Sequence, residues 1–67
     1  MNNSETSSLD LALLKNMNVL IVEDDEAILN NICQSLQLLF AHVYNATNGI
    51  DAYSQYKKYK PLFIISD

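Results

Sequence analysis

Apolar and polar positions alternate in blocks whose rhythm changes along the chain. Residues 19–22, VLIV, are apolar without a break, which suits a strand covered on both faces, as in parallel sheets flanked by helices. From residue 26 to 40 the rhythm turns helical. At about 100° per residue, Ile28, Leu29, Ile32, Cys33, Leu36, Leu39 and Phe40 gather into one stripe. Glu26, Asn30, Asn31, Gln34, Ser35 and Gln37 take the other side, with Ala27 and Leu38 out of place.

Residues 42–46 read as a short second strand. The TNG that follows is turn chemistry, with Thr47 or Asn48 able to cap a helix over residues 49–58. On that helix Ala52, Tyr53 and Tyr56 share a face that Tyr59 extends, so the tyrosines are expected at the core or its rim, rings buried and hydroxyls reaching water. Pro61 stops the helix, and residues 62–66, LFIIS, form another unbroken apolar strand leading to Asp67. Strand, helix, strand, helix, strand with short connections predicts right-handed crossovers and an all-parallel sheet. The expected fold is therefore α/β, one half of a doubly wound sheet with strand order 2-1-3. Residues 1–16 are expected to be a polar leader, with a possible short helix over 9–16. Leu9, Leu11, Leu13 and Leu14 would then pack on the domain rather than pair two chains. Residues 17–67 form the domain.

A chain of 67 residues supports at most one small domain, which buries only ~60% of the surface its unfolded form exposes. Half the residues are hydrophobic (49%), and there is one glycine and one proline, a globular rather than disordered composition. Cys33 is the only cysteine, which excludes an internal disulfide or a cysteine-based zinc site and favours a reducing, cytoplasmic setting. It lies within the apolar stripe and is expected to be a small buried hydrophobe. His42 has no second histidine or cysteine to join in a metal site and is expected to be half exposed. The amino-terminal residues lack a basic leader with an apolar core, and no apolar run approaches a membrane span. The net charge of −4 argues against nucleic acid. Lys57, Lys58 and Lys60 are better read as a solvated helix end complementing the macrodipole.

Charge changes the picture most at NVLIVEDDEAI, where Glu23, Asp24, Asp25 and Glu26 crowd the exit of the first strand. Ligands of open parallel sheets bind beyond the carboxyl ends of strands, where neighbouring connections leave to opposite faces. With order 2-1-3, strands one and three lie side by side, and both end in acids. Adjacent strands bring Asp24 and Asp67 to about 5 Å in backbone terms. Two carboxylates at that separation repel by about 3 kcal/mol at an effective dielectric near 20, before Glu23 is added. Either their pKa values rise or a hard cation joins them, and Mg²⁺, which favours a few carboxylates and retained waters, is the better answer.

Together VLIVEDDEAI, ATNGIDA and KPLFIISD resemble the receiver domain of bacterial response regulators, in order and at the expected separations over residues 18–67. The resemblance implies a flavodoxin-like fold. In the family an acidic pair ends strand one and three residues separate it from the aliphatic residue that begins the helix stripe, which selects Glu23 and Asp24 ahead of Ile28. By the same carry-over Asp24 binds Mg²⁺ directly, Glu23 acts mostly through a metal-bound water, and Asp67 is the metal-bound phosphoacceptor. Asp25 and Glu26 remain for the helix start, where acids favour the N-terminus by about 0.3 to 1 kcal/mol each. The implied partner is a sensor histidine kinase or phosphotransfer protein, from whose phosphohistidine Asp67 takes the phosphoryl group.

The chain departs from the family at Phe40 and Ala41, where a glycine often ends the first helix, and at Leu62, where an acid often follows the proline. A receiver also continues for about as many residues again. The matched part is thus expected to be its N-terminal half, not an enzyme by itself, since the Thr or Ser and the Lys of the complete site belong to the missing strands. Strand three would then be an exposed apolar edge inviting self-association through residues 62–65. Two other readings remain. One is a pseudo-receiver that binds protein without phosphotransfer. The other is a haloacid dehalogenase-type phosphatase, disfavoured because strand one is followed by EDDEAI without the Gly-Thr turn of such enzymes.

Overall fold

The computed structural model describes residues 12–66, in the order β1 (Asn18–Val22), α1 (Glu26–Leu36), β2 (His42–Ala46), α2 (Gly49–Tyr59) and β3 (Phe63–Ser66). The three strands form one all-parallel sheet in the order β2-β1-β3. Residues 12–14 are helical, and turns through Leu13 and Leu14 lead into β1. The rest of the expected leader lies outside the described residues. No described helix is long and apolar enough to cross a membrane.

Register sorts the side chains into two faces. Val19 pairs with Val43 and Phe63, Ile21 with Asn45 and Ile65, while Leu20 pairs with Tyr44 and Ile64. Partners in a parallel sheet point the same way. On one face Val19, Ile21, Leu29 and Cys33 form the core, with Ile32, Leu36, Phe40 and Val43 packed around them, which places α1 there. On the other face Tyr44 stacks on Tyr59 at 4.1 Å between ring centroids, which places α2 there. Crossovers of one hand running to opposite sides of β1 require this placement. The consequence is a central strand sealed from both sides, with Val19, Leu20 and Ile21 all buried. That is the condition under which an unbroken VLIV run is favourable.

Helix boundaries follow local chemistry. Asp25, in extended conformation, caps α1 by accepting from the N–H groups of Ala27 (2.9 Å) and Ile28 (3.1 Å). Of the two candidates for α2, Asn48 is the cap, accepting from the N–H of Asp51 at 2.8 Å. Helix α1 ends at Leu36 rather than at residue 40; residues 37–39 turn, with the N–H groups of Leu39 and Phe40 both bonding Leu36 O. This turn swings Phe40 edge-on to Phe63, centroids 5.9 Å apart, and leaves Leu38 in solvent. At the other end of the chain, Lys60 adopts the left-handed conformation (φ 48°) that closes α2, and Pro61 is buried behind it.

Two expectations are corrected in part. Of core and rim, the tyrosines of α2 take the rim, but their rings are not buried: Tyr53, Tyr56 and Tyr59 are all exposed, and no residue of α2 is buried. The physical reason is that α2 packs on β1 and β2, with Ala52 and Gln55 half-buried and Tyr59 laid flat on Tyr44, so its tyrosines ride the rim. His42 is likewise exposed rather than half buried, its ring stacked beside Tyr44. Cys33 is a buried free thiol, as its place in the stripe implies.

Candidate functional site at the carboxyl ends of the strands

The run of acids leaves β1 at the point where α1 departs to one face and α2 covers the other. Glu23 is the only buried charged residue among those described, at 8% exposure. Its backbone N–H continues the sheet by donating to Ala46 O at 3.0 Å, which fixes the direction of its side chain. One carboxylate oxygen, Oε1, accepts from the N–H of Asp25 at 3.1 Å. Asp25 therefore acts twice, its side chain capping α1 while its amide holds Glu23. A charged acceptor makes such a bond stronger than a neutral one and offsets part of the cost of burial. The sequence assigns Asp25 to the helix start alone; the acid two residues before a cap residue is the signal for its second bond.

Beside Glu23 the two strand ends are in register, Val22 opposite Ser66. Glu23 and Ser66 line the same cleft of about 340 Å³, walled by Ile21, Ile28, Ile32 and Ile65. Ile28, on the edge of the helical stripe, faces this cleft and not the core. Asp24 follows Glu23 and is exposed. Asp67 lies outside the described residues. Glu23 and Asp24 are thus placed at the strand end beside β3, and no group of three metal-ligating side chains occurs among the described residues. The donors present are carboxylate oxygens, the type a hard divalent cation prefers.

Among the described residues, the acidity of Cys33 is displaced. Burial raises its pKa, partly offset by a hydrogen bond with the Asn45 side chain. A protonated, buried thiol has no nucleophilic role.

Comparison with family models, with curated proteins and with solved structures gave no match.

Proposed function

We propose that the chain is the phosphoacceptor part of a receiver domain of flavodoxin-like, doubly wound type, cytoplasmic, taking a phosphoryl group from a sensor histidine kinase or phosphotransfer protein onto Asp67. The observation that carries the reading is Glu23: a carboxylate buried at the carboxyl end of the central strand, held by a backbone N–H, at the switch point between oppositely directed crossovers. A carboxylate is costly to bury without a partner. Its place in a cleft edge beside the exposed Asp24, with the strand leading to Asp67 alongside, suits a divalent cation site.

In this reading Glu23, Asp24 and Asp67 hold Mg²⁺, which when bound lowers the repulsion between carboxylate and phosphoryl oxygens. A carboxylate oxygen of Asp67 attacks phosphorus as the bond from phosphorus to the donor's imidazole nitrogen breaks. The product is an acyl phosphate, and the electron pair of the broken bond stays on the imidazole. Glu23 contributes a fixed negative charge, kept in place by the Asp25 amide.

The test is incubation with acetyl phosphate and Mg²⁺ followed by intact-mass measurement, using the protein with whatever residues follow Asp67. A gain of one phosphoryl group, absent in Asp67→Asn and without Mg²⁺, is expected. No gain, with the fold intact by circular dichroism, would sink the phosphoacceptor reading and leave a protein-binding module.

A further inference from the structure

The outer edge of β2 is the side of the sheet away from β3, so nothing that adds beside β3 alters it. Between this edge and α2 runs a groove of about 480 Å³, and all its walls come from residues 43–59. One wall is backbone. Because Glu23 N–H bonds Ala46 O, the alternation of a parallel strand turns the amides and carbonyls of Val43 and Asn45 outward. Gln55 takes the Asn45 carbonyl, and Val43 presents both a donor and an acceptor to the groove. The other wall is a row of polar α2 side chains, Asp51, Ser54, Gln55 and Lys58, at the three- and four-residue spacing of one helix face. A carboxylate and an ammonium thus end the row, about 10 Å apart at 1.5 Å per residue. Gln55 meets Asn45 and Tyr59 meets Tyr44, so α2 runs against β2, with Asp51 towards the carboxyl end of the strand and Lys58 towards its amino end.

We propose that this groove binds a short zwitterionic peptide, extended and antiparallel to β2. About three extended residues span the roughly 10 Å between the two charges. Charge fixes the direction. The ammonium of the peptide meets Asp51 and its carboxylate meets Lys58, so the peptide runs against the strand. In that direction one peptide residue exchanges both backbone bonds with Val43, a pairing that only antiparallel strands make.

Ser54, near the middle of the row, adds a hydroxyl to the groove. Gln55, already bonded to Asn45 O, stops the pairing from extending along the edge, which suits a short ligand rather than a long strand. Asp51 and Lys58 are both exposed, so each charged contact is weak and the affinity is low. The groove includes none of Glu23, Asp24 and Asp67, and binding there does not depend on phosphotransfer.

Titration of the 67-residue chain with trialanine, followed by amide chemical shifts and amide exchange, tests it. Val43 N–H should shift and slow its exchange as the peptide binds, while Ile64 N–H on β3 does neither. N-acetylation of the peptide and Asp51→Asn should each weaken binding about two- to fivefold, and the two together no further than either alone. C-amidation of the peptide and Lys58→Gln should form a second pair of the same kind. The blocked peptides are titrated into the parent chain, so the result stands even where a variant fails to fold. No shift at Val43 up to the solubility limit of trialanine overturns the proposal. So does binding indifferent to blocking both peptide termini, or a Val43 N–H already slow without peptide, since the chain itself would then fill the groove.

Discussion

Strand β2 meets solvent behind a screen of side chains, whereas β3, on the other side of the same central strand, meets it bare. On the β2 side, Ala46 is bonded to β1, so Asn45 turns its carbonyl outward, where Gln55 Nε2 donates to it. Gln55 is itself held by Asp51 Oδ2 at 3.1 Å. Tyr44 lies under Tyr59, with the Lys58 ammonium 5.1 Å from the Tyr59 ring centre, and His42 flanks Tyr44. One helix thus supplies an amide, an aromatic plate and a cation to a single edge. On the β3 side the only ring contact among the described residues is Phe40 with Phe63. The difference teaches that α2, which buries nothing of its own, works as an edge guard more than as a core element.

The comparison breaks altogether if the shared central strand fails. Ile21→Ala, at a site 1% exposed, should cost about 2 to 5 kcal/mol and leave little folded protein, read by urea denaturation. Tyr59→Ala should cost about 1 to 2 kcal/mol through the lost stack and buried area. By contrast Leu62→Ala on the bare side should fall within about 0.5 kcal/mol. Equal losses would show that the two edges are not differently supported. Lys60→Gly relieves a left-handed residue and should raise stability by about 0.5 to 1 kcal/mol, seen as a higher midpoint. Gln55→Ala should cost no more than about 0.5 to 1 kcal/mol, yet speed exchange at the β2 edge while leaving β3 unchanged.

The smallest effect is pH-dependent and reports on the core beneath β2. Because the folded-state pKa of Cys33 is raised, the folded chain holds the thiol proton more tightly than the unfolded chain. Stability from that group is full below the ordinary thiol range and declines as pH rises through it. Cys33→Ala, compared with the parent between neutral and alkaline pH, should flatten the decline. An identical slope would remove Cys33 as its cause.

Much of this architecture is legible in the residues. VLIV without a polar break announced a strand sealed on both faces, Asp25 announced one helix start and Thr47 or Asn48 the other, of which Asn48 is the cap, and the alternation of elements announced a parallel sheet in the order β2-β1-β3. Helical periodicity located the apolar stripe of α1 but could not see that Phe40 is reached by a turn after Leu36. It also could not tell core from rim for Tyr53 and Tyr56, because a repeat of 3.6 gives a face and not what covers it. The contact of Gln55 with Asn45 joins two elements through a side chain, and no local pattern encodes it. At the candidate site the sequence named Glu23, Asp24 and Asp67, the last of which lies outside the described residues. The burial of the first and the exposure of the second come only with the fold, whereas the tether from Asp25 spans two residues and is local.

The register also sets an order of assembly. Pairing β2 with β1 joins residues 24 apart, Asn18 with His42, whereas β3 joins residues 44 apart, Val19 with Phe63. Each doubling of loop length adds only about 0.6 kcal/mol of closure cost. But every residue of β3 is also exposed, so it is expected to dock last and fray first. While undocked, its apolar residues are open to another chain.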